Sequence, residues 1–285
     1  MANQLTLLDQ FLQEQANANR SPHTIRAYRS DLGAYNGEPT ADSLRAYFAS
    51  INHLAPATRS RKQAAFSAYF AWLVQQGAIP SSPMEMLQRV SLEPPPPRGI
   101  TREQFNAILA QVKSNRDRLL YRMLFELGLR ISEALAIRIE DLDLTRDDEH
   151  VSVLGKGNRI RTLLLDDATL VRELRAHIRV NGYKHGLVFR ATKNGTGLPL
   201  RYQSVQERWQ SACRKAGLDA TLHQCRHGHA TELINSAANN GAPISLATIR
   251  KRLGHRQIAS TMRYAELSDE SADSELRARR RRMKG

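Results

Sequence analysis

Apolar residues at Leu5, Leu8, Phe11 and Leu12 stand three and four apart, the spacing that puts one apolar stripe along a helix. A polar stretch ends that pattern and Ser21-Pro22 starts the next, since serine is a good N-cap and proline suits a first turn whose N–H has no helical partner. Ile25, Tyr28, Leu32 and Tyr35 mark the apolar face of this second helix, and Gly37 to Pro39 break it. A third helix is predicted from about Ala41 to Ala49 and a fourth from Ala57 to Gln76. The fourth carries Arg59, Arg61 and Lys62 early and Phe66, Phe70, Trp72 and Leu73 later, so its first turns are basic and its last turns apolar. Residues 1–90 therefore read as a small all-α domain.

The pattern resumes at Thr101, whose spacing from Gln104 is that of a capping box ahead of Phe105, Ile108 and Leu109. A helix is predicted over Arg116–Leu127; Gly128 ends it, and Arg130 stands at the start of a short helix with Glu133 one turn on. From Val151 to Leu165 the period changes, because VSV and IRTLLL flank GKGN, the alternation and glycine-rich turn of a β-hairpin with Lys156 in the turn. Helices are predicted over Asp167–Val180 and Ser204–Ala216, with a short strand at Leu187–Phe189 between them. Two more helices flank an exposed loop, INSAANNGAPIS, and Gly254 is suited to close the second. Residues 100–285 thus form an α+β domain, mainly α with a small hairpin or sheet.

Residues 91–99, SLEPPPPRG, separate the two patterns. Four consecutive prolines donate no backbone hydrogen bonds and favour an extended conformation, so this linker is stiff. Charge divides unevenly across it: nine Lys and Arg against seven Asp and Glu up to residue 99, thirty-three against twenty-one beyond. The net charge of +14 and pI near 10.3 call for a polyanionic partner, either nucleic acid or an anionic membrane surface. No run approaches the length of an apolar span, and the start of the chain has neither a signal-peptide core nor a lipidation motif, so a cytoplasmic, nucleoid-associated protein without membrane partners is expected. Two cysteines, Cys213 and Cys225, make neither a disulfide framework nor a cysteine metal site and are expected to be buried packing.

The candidate chemistry gathers between Thr221 and Glu266. His223 and Arg226 stand three apart and share a helical face, so both can address one anion. A second histidine, His255, follows Gly254, and Tyr264 follows nine residues later. Guanidinium and imidazole groups that hold phosphate oxygens, with a phenol as nucleophile, suit phosphodiester chemistry. Each residue has a plainer reading: Arg130 with Glu133 is a common i, i+3 ion pair, Lys156 a solvated turn lysine, Tyr264 a core-capping ring. His223 and His227 also have the spacing of zinc ligands, but HQCRH lacks the glutamate of a metalloprotease helix and only Glu232 offers a third ligand, so no metal is expected.

The order and spacing of HQCR, LGH and Tyr264 resemble the carboxy-terminal motif of the tyrosine recombinases, the phage integrases and Xer proteins. ELGLRISEAL resembles their segment with a first catalytic arginine, here Arg130, and VLGKGNRIRTLLL their hairpin with a catalytic lysine, here Lys156. SPHTIRAYRSDL and ATRSRKQAAFSAYFAWLVQQGAI resemble their amino-terminal core-binding domain. Six matches in register are far more specific than one H-x-x-R. The resemblance implies a two-domain DNA clamp with a catalytic set of Arg130, Lys156, His223, Arg226, His255 and the nucleophile Tyr264. Glu133 then supports a guanidinium, while Arg59, Arg61, Lys62, Arg159 and Arg256 are expected DNA contacts.

The resemblance also implies a reaction without cofactor that exchanges DNA strands through a 3′-phosphotyrosyl link and a four-way junction. Double-stranded DNA with paired inverted half-sites is the expected partner, bound by a homotetramer with a dimer per site and with accessory proteins as possible helpers. Two departures stand out: INSAANNGAPIS is longer than the family's usual connection, and Cys225 stands where leucine is commoner. Two other activities share these residues: strand relaxation of the type IB topoisomerase kind, and non-catalytic DNA binding by the same fold.

Overall fold

In the computed structural model, which describes residues 6–91, 99–155, 159–191, 197–234 and 244–254, the side chains of Thr6, Ser21 and Thr40 each accept from the backbone N–H three residues on. They thereby start α1 (Leu7–Asn17), α2 (Pro22–Gly33) and α3 (Ala41–Ser50). A proline begins α4 (Pro56–Gln75) instead. Phe11, Leu12, Leu32, Leu44, Phe66, Phe70, Trp72 and Leu73 from these helices bury one another. Tyr35, Tyr47 and Phe48 close around Phe66 with ring centroids 5.3–5.4 Å apart, and each such burial stabilises by about 1.5–3 kcal/mol. The indole N–H of Trp72 donates to Glu14 at 2.7 Å, so the ring is buried without stranding its donor.

The chain divides into two compact units, Met1–Pro95 and Pro96–Gly285. The second begins with α5 (Arg102–Ala110), whose capping box between Thr101 and Gln104 is fully formed. Its spine is α6 (Asn115–Glu126), in which Leu119, Leu120, Tyr121, Met123, Leu124 and Phe125 are all buried. Phe125 stacks on Phe105 at 4.3 Å, and Tyr121 meets Trp209 edge-on at 4.9 Å. Gly128 follows α6 with φ of 61°, a left-handed turn open to glycine, and leads into α7 (Ile131–Ala136).

Three short strands come next, β1 (Leu142–Asp143), β2 (His150–Gly155) and β3 (Arg159–Leu164), in an antiparallel sheet ordered β1-β2-β3. The hairpin is the predicted one; β1 is an addition, too short to leave a period in the sequence. Val151 lies opposite Leu163 and Val153 opposite Arg161. Helices α8 (Ala168–Asn181), α9 (Tyr202–Lys215), α10 (Leu222–Ile234) and α11 (Leu246–Leu253) complete the described part of the unit. Leu187–Phe189 is not a strand. It makes a single bridge, Leu187 with Arg138, while Val188 and Phe189 fill the core, so burial rather than sheet pairing accounts for its apolar run. Both cysteines are buried, and burial pushes the Cys225 thiol well up.

Among the described residues no helix is long and apolar enough to cross a membrane. The expected loop around residues 235–243, the linker prolines, and everything from His255 on lie outside the described residues.

Candidate active site

Two facts of local sequence bring α10 close to α6. Gly228 lacks a side chain where a Cβ would stand 2.3 Å from the Ile100 carbonyl oxygen and 2.9 Å from the Phe125 ring. The Ile100 N–H also donates to the Gln224 oxygen at 3.3 Å. This close approach sets the helix that carries His223 and Arg226 against the turn after α6 that carries Arg130.

Arg226 is 1 % exposed. Its Nη1 donates to the Gly128 carbonyl at 2.7 Å and its Nη2 to the Leu253 carbonyl at 2.5 Å, so one guanidinium ties the end of α6 to the end of α11. A buried cation needs an anion as well, and Glu133 supplies it with Oε2 3.9 Å from Arg226. Glu133 is itself buried and serves three arginines. It accepts from the Arg130 backbone N–H and from Arg130 Nη1, both at 2.8 Å. Arg161 donates to it through Nη1 at 3.2 Å and Nη2 at 2.9 Å. Burial alone would push this carboxyl up, but the hydrogen bonds from Arg161 and Arg130 outweigh it and hold the group below the ordinary value of 4.5. The i, i+3 relation of Arg130 and Glu133 is thus both an ion pair and a one-sided helix cap, with the Glu133 carboxylate accepting from the Arg130 backbone N–H at the start of α7.

Of the arginines around Glu133, Arg130 keeps the most contact with solvent, with 36 % of its side chain exposed against 11 % for Arg161 and 2 % for Arg226. His223 stands on the solvent side of α10 one turn before Arg226; partial desolvation by its surroundings, then the charges of Arg226 and Arg130, hold its imidazole below the usual 6.5. A histidine so biased is neutral at neutral pH and able to accept a proton. Its ring meets that of His227 edge-on at 4.5 Å. The zinc alternative does not assemble: Glu232 is held by Arg102 at 2.5–3.0 Å, and among the described residues no three ligands gather. His229 is buried and its Nε2 faces the Arg252 guanidinium at 3.2 Å, a structural role on α10.

The structure thus brings Arg130, His223, Arg226 and Glu133 together. Lys156, His255, Arg256 and Tyr264 lie outside the described residues; Gly155, Arg159 and Gly254, their described neighbours, all stand in this unit. Gly254 closes α11 in the left-handed conformation expected of it, with φ of 65°. Arg159, opposite Gly155 in the hairpin, is exposed. In the first unit, the three cations at the start of α4 differ in use. Lys62 is only 12 % exposed and its ammonium sits 3.2 Å from the buried Asp31, so it is turned inward as a counter-ion rather than outward as the sequence suggested. Arg61 also pairs with Asp31 but stays half-exposed, and Arg59 donates to Asn52.

Residues 98–271 match the phage integrase family. The chain belongs to that family. The tyrosine recombinase XerC of Xanthomonas campestris pv. campestris (strain B100) is 31% identical over 288 residues, covering 92% of this chain and 84% of that protein. Among solved structures, the XerH site-specific recombinase bound to palindromic difH substrate in a post-cleavage complex has the same fold. Its TM-score is 0.72 at 18% identity, over 90% of this chain and 80% of that one. A lambda integrase tetramer bound to a Holliday junction gives 0.71 at 17% identity, over 88% and 76%.

Sequence reading passed over two residues of this phage integrase site. Arg161 and Arg252 join the hairpin, α7 and α11, Arg252 through His229, the Glu126 carbonyl and Asp166. For Arg161 a signal existed. It stands two residues before the inward-facing Leu163, so alternation places a charged group on the buried face, where it must find a partner.

Proposed function

We propose that this phage integrase family protein is a site-specific DNA recombinase that cuts and rejoins DNA through Tyr264. The observation that carries the reading is the gathering of Arg130 and Arg226 at Glu133 with His223 close to both arginines, two cations and a base, with Arg130 partly exposed to solvent. Arg130, Arg226 and His255 hold the non-bridging oxygens of the scissile phosphate and offset the charge that grows on them in the transition state. The Tyr264 oxygen forms a bond to phosphorus while the bond from phosphorus to the 5′-oxygen breaks. His223 takes the phenolic proton, and Lys156 gives one to the departing oxygen. A 5′-hydroxyl of another strand reverses these steps on the resulting 3′-phosphotyrosyl ester. No external energy source is needed, because one ester is exchanged for another. The arginines carry the charge that a metal would carry elsewhere, so cleavage should be insensitive to EDTA.

Double-stranded DNA is the partner, and a tetramer on two paired sites, each an inverted pair of half-sites, is the assembly. The complexes of XerH and lambda integrase with DNA support this. Residues 1–90 act as the core-binding domain, with Arg59 and Arg61 at phosphates, and residues 100–285 as the catalytic domain, with Arg159 and Arg256 as its contacts.

The test is covalent trapping. Wild-type protein is incubated with a pool of nicked duplexes carrying a randomised core, and DNA that survives denaturation on the protein is sequenced to give the site. Tyr264→Phe should bind the recovered site with unchanged affinity and trap none of it. Trapping by the Phe variant would move the nucleophile elsewhere, and relaxation of supercoiled plasmid lacking the site would favour a topoisomerase.

A further inference from the structure

The least expected member of the site is Arg161. All three nitrogens of its guanidinium are engaged: Nη1 and Nη2 hold the two oxygens of Glu133, and Nε donates to the Arg252 carbonyl at 3.0 Å. It packs against Gly254, where a Cβ would come within 3.3–3.4 Å of the guanidinium.

We propose that Arg161 is a positioning residue for the cleavage step, neutralising Glu133 so that Arg130 and Arg226 act on the phosphate, and locking β3 to the carboxy-terminal end of α11. The proposal rests on the recombinase reading above. Charge is its first ground. Glu133 carries one negative charge among three guanidinium groups, and without Arg161 that charge would fall on Arg130 at 2.8 Å and Arg226 at 3.9 Å, the two groups that must face an anion. Its second ground is connection. The last carbonyls of α11 carry the negative end of the helix dipole, and two guanidinium groups take them, Arg161 at Arg252 and Arg226 at Leu253. His255 follows directly from this helix end, and Arg161 lies five residues from Lys156 along the hairpin. One planar fork, 28 residues from Glu133 and 91 from Arg252, thus ties together the segments that carry the first arginine, the lysine and the second histidine.

The experiment measures single-turnover covalent complex formation at saturating DNA, with the nicked site recovered above as probe, for wild type, Arg161→Gln, Arg161→Lys, Glu133→Gln and the Glu133→Gln/Arg161→Gln double variant. Affinity for the same duplex is measured alongside. Arg161→Gln should slow cleavage by roughly 100-fold, the scale of an ångström of misplacement, with affinity within about threefold of wild type. Arg161→Lys, which keeps the charge but not the fork, should fall between. The double variant should be no slower than Arg161→Gln, because the carboxylate whose charge Arg161 offsets is gone; independent roles for the two residues would instead multiply the two losses. Circular dichroism at the assay temperature establishes which variants are folded, and Arg161→Lys carries the test if Arg161→Gln is not. A wild-type rate in a folded Arg161 variant, or multiplied losses in the double variant, overturns the proposal alone. A wild-type protein that traps no DNA overturns the recombinase reading and this proposal with it.

Discussion

Arg226 donates to the carbonyl oxygen of Gly128 at 2.7 Å, a bond that spans 98 residues of chain. The residue that matches the family's second catalytic arginine is therefore also a structural strut, since its other nitrogen holds Leu253 at the end of α11. Arg226→Lys should reveal both roles. A point donor cannot bridge the two carbonyls as a planar fork does, and a buried acceptor left unmet costs about 1–3 kcal/mol. Urea unfolding of the second unit, read from Trp209 fluorescence in a Trp72→Phe background, should show that loss, and covalent trapping should be abolished.

Gly228→Ala should be equally damaging without touching any ionisable group. The new Cβ would stand 2.3 Å from backbone oxygen at Ile100, where no flexible side chain can give way. Pushing α10 off α6 should cost about 1–3 kcal/mol and slow cleavage by displacing His223 and Arg226. Gly33→Ala is the control. Nothing lies within 4 Å of its Cβ position in α2, so the change should be neutral or stabilise by up to about 1 kcal/mol. Thermal unfolding of the two variants checks the contrast.

Stability should fall on mild acidification. Burial holds His229 well below 6.5, with the charges of Arg252, Arg226 and Arg102 adding to it, and His223 and His177 are also lowered. The unfolded chain then binds more protons than the folded one below the ordinary histidine value, so stability rises with pH through that range and is lost as pH drops through about 6.5. His229 matters most, because its Nε2 can accept from Arg252 only when neutral. The midpoint of thermal unfolding, followed from pH 8 to about pH 5, should decline below about 6.5, the unfolded-state value of histidine. A flat profile would contradict the buried, neutral histidine.

Lys156 can be assigned by its substrate. If it protonates the departing 5′-oxygen, Lys156→Ala should slow cleavage of an ordinary nicked site by about 100- to 10,000-fold, the range of general acid catalysis. A duplex whose bridging 5′-oxygen is sulfur should restore the rate, because a thiolate leaves without a proton. Equal defects on both duplexes would make Lys156 a phosphate contact only.

Much of this was local and therefore legible in the sequence. The helices are set by apolar period and by caps such as Ser21, Thr101 with Gln104, and Gly254, each within a few residues of what it caps, and the hairpin by alternation around GKGN. The ordered spacing of Arg130, Lys156, His223, Arg226, His255 and Tyr264 pointed to the family that residues 98–271 match. The apolar run at Leu187–Phe189 misled because a strand and an irregular core segment leave the same mark. Lys62 misled for a different reason: Asp31, its counter-ion, lies on another helix, and i, i+3 logic does not reach across helices. Likewise, nothing in one dimension tells that Glu133 binds Arg161 as well as Arg130, or that Arg226 holds Gly128 and Leu253. Those partners lie 27 to 98 residues apart, and only packing of α6, α10, α11 and the hairpin brings them within hydrogen-bonding distance. Sequence determined which groups the chain has for the chemistry; tertiary structure decided which of them are consumed in holding the site and which, like Arg130, are left facing solvent.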